Sequence, residues 1–278
     1  MKVVKMEKYR TIEKSIIKKY RKQIWSKFIK AIKTYDLIKE NDIIAVCISG
    51  GKDSFLLAKC LEELKRHGIY KFDLKFIIMD PGYSSKNINK IKENLKKLNI
   101  DAHIFKTDIF TYTSKTTNPC YLCAKMRRGY LYNEAKKLGC NKIALGHHFD
   151  DVVETILLNQ IFNGTFSTMM PKLKSDNFEN FELIRPLYLI RENDIIAWKN
   201  YNELEFLDCA CNVTKKSSGK RIVVKNLIKE LNKIYKDADK NIFSSTSNVN
   251  LDALIGYKKN NKKINFLDEY QKNLKIDE

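Results

Sequence analysis

The chain of 278 residues has a formal net charge of +19 at pH 7, which favours a polyanionic partner, although a solvated lysine-rich surface would give the same count. Its 44% of hydrophobic residues suffices for a core without disulfides, and no apolar run approaches the roughly 18 residues of a membrane span. Residues 1–22 are studded with lysine and do not resemble an export signal, so we expect a cytoplasmic protein with no membrane segment.

The first predicted element is one long amphipathic helix. Apolar residues recur at every fourth position from Ile12 to Ile32, and lysines and arginines occupy much of the remainder. This spacing is typical of a helix with one face on a core. Its basic face is equally compatible with solvent and with contact to RNA, and the spacing does not distinguish the two.

Residues 43–54, with the sequence IIAVCISGGKDS, predict a buried parallel strand, a turn of small residues and the start of a helix that ends at Gly68. Gly50 and Gly51 allow consecutive backbone N–H groups to converge on an anion at the positive end of the helix, and Lys52 adds a full charge. The turn therefore predicts a phosphate-binding loop. The alternative is a plain strand-to-helix turn that happens to use two glycines.

This turn differs from a Walker A loop. The pattern G-x-x-x-x-G-K-[ST] would need glycine in place of Val46 and a hydroxyl in place of Asp53. We therefore expect phosphate binding of another kind.

Four further strands are predicted, at 72–79, 102–106, 142–146 and 182–186, and together they indicate a doubly wound, mostly parallel sheet of five strands. The carboxyl ends of such strands face a ligand crevice, where Asp80 and the stretch GHHFDD at 146–151 would lie. An ordinary Pro-Gly turn explains Asp80 equally well. Two acids at a helix start suit the helix dipole, but this does not explain the Gly-His-His turn, so we favour an active-site loop.

Seven cysteines and no export signal predict reduced thiols in metal or redox chemistry rather than a disulfide framework. Cys120 and Cys123 form a C-x-x-C pair at a predicted helix start, a spacing that metals, clusters and redox pairs all use. Arg127 follows in the same helix, where phosphate or RNA contact competes with plain solvation. Cys209 and Cys211 form a second pair late in the chain.

Four motifs, taken in order, resemble those of the tRNA 2-thiocytidine synthetases, a family of PP-loop ATP pyrophosphatases. They are SGGKDS at 49–54, CYLC at 120–123, LGHHFDD at 145–151 and IRPL at 184–187. The resemblance implies that ATP adenylates O2 of an anticodon-loop cytidine, that sulfur replaces this oxygen, and that AMP and pyrophosphate are released. It implies Mg²⁺ and a [4Fe–4S] cluster besides ATP. The implied partners are tRNA, a sulfur donor (sulfide or a cysteine desulfurase relay) and a second copy in a homodimer.

The resemblance also assigns roles to residues at the matching positions. The cluster ligands would be Cys120, Cys123 and Cys209. The family's late pair is C-x-x-C whereas this chain has C-x-C, so Cys211 is an alternative third ligand, and four cysteines could also close a zinc site. The catalytic candidates are Asp150, Asp151, Arg127 and Lys52, and the nucleotide-binding candidates are Ser49, Gly50, Gly51, Lys52, Asp53, Ser54, Asp80, Gly146 and His147.

We divide the chain into a basic N-terminal helical segment (1–40), a PP-loop catalytic domain (41–215) and a C-terminal helix followed by a patternless, mobile tail (216–278). Another PP-loop enzyme, such as one forming 2-thiouridine or one resembling lysidine synthetase, would share the loop but would not need both cysteine pairs. A non-enzymatic zinc- or RNA-binding protein would explain the charge and the cysteines but would leave the phosphate loop without a function.

Overall fold

The computed structural model describes residues 2–109, 119–175, 178–207, 219–268 and 270, apart from the side chains of residues 2–7 and 119–125. The strands are β1 (Ile43–Cys47), β2 (Asp73–Asp80), β3 (Ala102–Lys106), β4 (Lys142–Ala144), β5 (Lys172–Lys174), β6 (Glu182–Ile184), β7 (Gly256–Lys259) and β8 (Lys262–Asn265). The first six form one sheet in the order β3-β2-β1-β4-β6-β5, and β7 and β8 form a separate pair. Within the large sheet β5 runs antiparallel to β6, and the other pairs are parallel.

This mostly parallel α/β sheet confirms the predicted fold class, with one strand more than the five expected. The additional strand is β5, which has the sequence Lys-Leu-Lys and leaves Leu173 42% exposed. A three-residue edge strand with no buried position carries no hydrophobic period that the sequence could reveal.

Helices cover both faces of the sheet. They are α1 (Lys2–Ile17), α2 (Ser26–Thr34), α3 (Lys52–His67), α4 (Ser85–Leu98), α5 (Pro119–Lys137), α6 (Phe149–Asn163), α7 (Glu192–Tyr201), α8 (Gly219–Ile234) and α9 (Ala238–Ser245). Successive residues of a strand point to opposite faces. Accordingly Ile44 and Val46 of β1 pack in the larger core, and Ala45 and Cys47 pack in the smaller one. The order of strands reverses between β1 and β4, and ligands bind at such a switch point in open α/β sheets.

The N-terminal segment is not the single helix that its spacing predicts. A π-helical turn (Arg21–Trp25) separates α1 from α2. The reason lies in the spacing itself, because a strict repeat of four advances the apolar stripe by about 40° per step around a helix of 3.6 residues per turn. The wider turn restores the stripe to the core, where its apolar members are almost completely buried: Ile12, Ile16, Ile24, Phe28 and Ile32.

The C-terminal segment contains more structure than the patternless tail predicted for it. Helix α9 follows α8, and its Phe243 stacks on Phe149 with ring centroids 4.9 Å apart. Strands β7 and β8 then form a hairpin. These elements have four to eight residues, too few for a hydrophobic period to be recognised among the surrounding lysines and asparagines. Among the described helices, none combines the length and the apolar content that a membrane crossing requires.

Candidate active site

The predicted phosphate loop connects β1 to α3 at the carboxyl edge of the sheet. Gly50 has a φ of +94°, and a Cβ there would lie 2.9 Å from Cδ1 of Leu207, so the position requires glycine. The Ser54 hydroxyl accepts a hydrogen bond from the Ser49 N–H at 3.2 Å and donates one to the Gly51 carbonyl at 2.8 Å. The loop is therefore held closed over the first turn of α3, whose N–H groups have no partner within the helix.

The turn after β4 packs directly on this loop. A Cβ on Gly146 would lie 3.1 Å from both the carbonyl carbon of Asp53 and the Ser54 nitrogen. A side chain at this position would press on the loop backbone, which favours the glycine in the GHHFDD stretch. The contact brings the histidines and acids of that stretch beside Lys52 and Asp53, as the sequence predicts for neighbouring strand ends.

His148 and Asp151 form the start of α6. The His148 N–H donates to Oδ2 of Asp151 at 3.1 Å, and the His148 ring accepts from the Asp151 N–H at 3.5 Å, which makes a capping box. The ring nitrogen Nε2 of His148 also lies 3.9 Å from Oδ1 of Asp53. His148 thus links the carboxylates of Asp53 and Asp151, a role that the sequence analysis did not predict for it.

A cavity of about 260 Å³ lies between the loop and the GHHFDD turn. Its walls include seven of the residues predicted for the site: Ser49, Asp53, Ser54, Arg127, Gly146, His147 and Asp151. Asp80 and Asp150 do not line it. Oδ1 of Asp80 accepts the N–H groups of Gly82 at 3.0 Å and Tyr83 at 2.7 Å, which is the ordinary turn function. Oδ2 of Asp150 accepts the N–H of Glu192 at 2.6 Å and anchors α7.

Asp53 is the side chain best placed to bind a cation. Its Oδ1 is buried without a hydrogen-bond partner, and burial raises the pKa of this carboxyl. A buried carboxylate oxygen with no donor is costly, and a divalent cation would supply the missing charge. Asp151 lines the same cavity. The two carboxylates are suited to Mg²⁺, which usually takes one or two of them and completes its shell with phosphates and water.

The Lys52 ammonium is held by two carboxylates. Nζ lies 3.2 Å from Oδ2 of Asp53 and 3.1 Å from Oε1 of Glu192, at the start of α7. Glu192 also contacts Lys225 of α8 at 2.5 Å. Burial would raise the pKa of Glu192, but the Lys225 hydrogen bond and the Lys52 charge outweigh it and lower this pKa to about 2. Glu192 therefore remains ionised and fixes the ammonium beside the loop.

A second contact from α8 reaches the same edge of the sheet. The Arg221 guanidinium lies 3.2 Å from Oδ1 of Asp151 and 2.8 Å from Oε2 of Glu154. Sequence reasoning missed Glu192, Arg221 and Lys225. An acid in the first turn of a helix and basic residues on an exposed helix are also what solvated surfaces contain, so no local signal marked them.

The cysteines divide into three groups. Cys120 and Cys123 lie in the first turn of α5, as predicted, although their side chains are outside the described part of the structure. Cys209 and Cys211 lie outside the described residues. The described segment before them ends at Leu207, whose N–H donates to the Gly50 carbonyl at 3.1 Å. Cys47, Cys60 and Cys140 are buried in the cores, where burial raises the pKa of each thiol. Among the described residues, no group of three or more His, Cys, Asp or Glu side chains is arranged to hold a metal ion.

His147 provides a test of the packing around the cavity. Burial, together with the Arg185 guanidinium whose Nε donates to Nδ1 at 3.4 Å, lowers the pKa of His147 to about 4. Because the unfolded chain binds the proton near pH 6.5, the free energy of unfolding should fall as the pH decreases from about 6.5 to 4. In His147→Gln we expect this fall between pH 7 and 5 to be smaller by about 1 to 2 kcal/mol.

Urea unfolding at several pH values measures this difference. His103→Gln, which removes an exposed imidazole from β3, is the matched control. Parallel pH profiles for the parent protein and His147→Gln would show that the ring is not held neutral by its surroundings.

Comparison with known proteins agrees with this geometry. Residues 19–231 match the family model described as a PP-loop domain. A protein named tRNA-cytidine(32) 2-sulfurtransferase from Geotalea uraniireducens is 38% identical over 224 residues, covering 79% of this chain and 88% of that relative. A protein of the same name from Geobacter metallireducens is 38% identical over 236 residues, covering 84% and 91%.

A solved structure shares the fold and part of the sequence. The U34-tRNA thiolase NcsA from Methanococcus maripaludis, solved with its [4Fe–4S] cluster, superimposes with a TM-score of 0.65 at 25% identity. The match covers 84% of this chain and 80% of that one. The relatives are named as transferases, in agreement with the family that the sequence motifs resemble. The chain is an enzyme of the PP-loop family and belongs, within it, to the family of the tRNA-cytidine(32) 2-sulfurtransferases.

Proposed function

We propose that this enzyme uses ATP to replace O2 of an anticodon-loop cytidine of tRNA with sulfur, giving 2-thiocytidine. The single observation that carries the proposal is the packing of Gly146 on the phosphate loop, which brings Asp53 and Asp151 to the walls of one cavity, with the Lys52 ammonium 3.2 Å from Oδ2 of Asp53. The names of the relatives support the substrate, and the net charge of +19 suits a polyanion.

The chemistry explains why a phosphate loop belongs in a thiolase. The O2 oxygen of a pyrimidine is a poor leaving group, so it must first become a phosphate ester. In the proposed first step O2 attacks the α-phosphorus of ATP, the bond to the bridging oxygen breaks, and pyrophosphate leaves. In the second step sulfide attacks C2 and AMP leaves with the former O2.

The residues of the chain then have defined tasks. Ser49, Gly50, Gly51, Lys52 and Ser54 would hold the pyrophosphate, and Asp53 and Asp151 would hold Mg²⁺ at the phosphates. Arg127, Gly146 and His147 would contact the nucleotide or the developing charge from the opposite wall. Asp150 would act through α7, since its carboxylate binds the Glu192 N–H.

The cysteine pairs fit an iron–sulfur cluster by the chemistry of their donors. Thiolates are the usual ligands of such clusters, and Cys120 and Cys123 lie in the first turn of α5, near the Arg127 that lines the cavity. We propose Cys209 as the third ligand and Cys211 as its alternative. A [4Fe–4S] cluster with three protein ligands would supply sulfide from its open iron.

The proposed setting follows from this chemistry. Thiol ligands and a tRNA substrate are both compatible with the cytoplasm. The sulfide would come from a donor protein, such as a cysteine desulfurase relay, and a homodimer is the proposed assembly. The domain division at residues 40 and 215 remains our proposal, while the apolar stripe of the N-terminal segment packs into the same core as β1 and α3.

Nucleoside analysis tests the proposed reaction directly. Anaerobic protein is incubated with ATP, Mg²⁺, sulfide and unmodified tRNA, and the digested nucleosides are examined by mass spectrometry. We expect 2-thiocytidine together with AMP and pyrophosphate. Formation of 2-thiouridine alone would leave the sulfur chemistry intact but replace the pyrimidine, and the absence of any thionucleoside with any tRNA would favour another PP-loop activity.

Glu192 should matter for turnover because it positions Lys52. In Glu192→Gln we expect the rate of AMP formation to fall about tenfold, since the ammonium loses one of the two carboxylates that fix it. Steady-state kinetics with ATP and tRNA measures this change. Lys225→Gln is the matched control, because it breaks the contact of Glu192 with α8 but leaves the contact with Lys52. Equal losses in both variants would mean that Glu192 serves only to dock α8.

A further inference from the structure

The hairpin of β7 and β8 lies beyond the residues that match the PP-loop family model. Its turn is Asn260-Asn261, and both residues have left-handed φ values of 50° and 61°. This is the two-residue type of turn that suits tightly twisted hairpins. The geometry of the turn fixes the register, in which Tyr257 faces Ile264.

Four lysines occupy the end of this hairpin in an unfavourable arrangement. Lys258 lies opposite Lys263 and Lys259 lies opposite Lys262. Like charges directly across a strand pair destabilise it, and a two-stranded hairpin has little stability to spare. All four side chains are exposed, and none pairs with a carboxylate within the described ranges. An anion that bound these lysines would relieve the repulsion.

Aromatic side chains lie at the other end of the hairpin. A cavity of about 260 Å³ opens there, with Tyr257, Phe266 and Tyr270 in its walls. Phe266 is 50% exposed and Tyr270 is 61% exposed, so both rings are accessible to a ligand. Asp252 on the same wall can accept a hydrogen bond from the amino group of a base.

We propose that this hairpin is an RNA-binding element, in which the four lysines contact backbone phosphates and the exposed rings stack on an unpaired base. The occupant is RNA because one polymer offers both a row of negative charges and flat π-faces, and exposed aromatic rings beside basic residues are how unpaired nucleotides are bound. The proposal deepens the proposed function and rests on it for the identity of the RNA, which would be the tRNA substrate.

Binding to an unmodified tRNA transcript tests the hairpin without catalysis. Fluorescence anisotropy of the full chain is measured over a series of salt concentrations. In a variant with glutamine at Lys258, Lys259, Lys262 and Lys263 we expect the affinity to fall about tenfold or more, and the slope of log K against log salt to decrease by roughly 3. The matched control carries glutamine at four exposed lysines outside the N-terminal basic segment, Lys71, Lys75, Lys92 and Lys96, and removes the same total charge.

A second variant separates stacking from charge. Phe266→Leu with Tyr270→Leu should weaken tRNA binding about fivefold or more and leave the salt slope unchanged, because stacking involves no phosphate contact. The lysine variant should unfold at a temperature no lower than the parent, since it removes the cross-strand repulsion. A lower melting temperature would mean that these lysines stabilise the fold and would overturn the proposal.

The outcomes distinguish the hairpin from the proposed function. If the hairpin and control variants show equal decreases in tRNA affinity and in the slope of log K against log salt, the lysines act only through total charge and the inference is wrong. If the hairpin variant loses affinity for anionic vesicles but not for tRNA, the surface binds membranes instead. If the parent binds tRNA through the hairpin but forms no thionucleoside, the inference stands and the proposed reaction fails.

Discussion

Replacing Lys52 with alanine should reduce the formation of AMP and pyrophosphate by at least about a hundredfold. Lys52 is the first residue of α3, directly after the loop, and two carboxylates fix the position of its ammonium. A cation held in advance where charge develops on a leaving pyrophosphate contributes most in the transition state, because no reorganisation is needed there. The loss should therefore appear mainly in turnover.

Separation of nucleotides after incubation with ATP, Mg²⁺ and tRNA measures the effect. Lys65→Ala is the matched control, because Lys65 lies on the same helix but at its far end, in an exposed ion pair with Asp73. The identity of the products, unlike the rate, shows which phosphorus atom of ATP is attacked. If the parent protein formed ADP and phosphate, attack would occur at the γ-phosphorus, and the PP-loop assignment of the chemistry would be wrong.

The sequence predicted the parts of the site that depend on local chain geometry. A pattern of apolar residues ending in glycine or acid marks each of the five parallel strands, the loop at 49–54 and the turn at 146–151. Parallel strands have their carboxyl ends at the same edge of the sheet, so the loop and the turn lie at that edge. The close approach of Gly146 to Asp53 follows from that edge, although only the structure shows that a Cβ there would press on the loop backbone.

The remainder of the site depends on contacts between distant segments. Lys225 contacts Glu192, which lies 33 residues earlier in the chain, and Arg221 contacts Asp151, which lies 70 residues earlier. Nothing in the local sequence of α8 separates these two side chains from the other basic residues of the same helix. The role of Asp80 had two equally good interpretations, and its two short hydrogen bonds to Gly82 and Tyr83 support the turn.

The cysteines should differ sharply in their effect on iron. We expect serine at Cys120, Cys123 or Cys209 to lower the iron content of anaerobically purified protein from about four atoms per chain to below about one, and to remove the broad visible absorption. The loss of one of three thiolates leaves only two of the soft sulfur ligands that hold such a cluster, and a serine oxygen is a much poorer ligand. Serine at Cys211 should leave both readouts largely unchanged.

Cys140→Ala is the matched control, because that thiol is buried in the smaller core and burial raises its pKa to about 11. This thiol packs among apolar side chains and does not line the cavity, so its removal should not affect the iron content. A colourless protein with one zinc that depends on all four candidate cysteines would contradict the cluster, since a closed tetrahedral site has no position for sulfide. If Cys211 proves essential and Cys209 dispensable, the cluster stands with its third ligand moved by two residues, and the open iron needed for the second chemical step is retained.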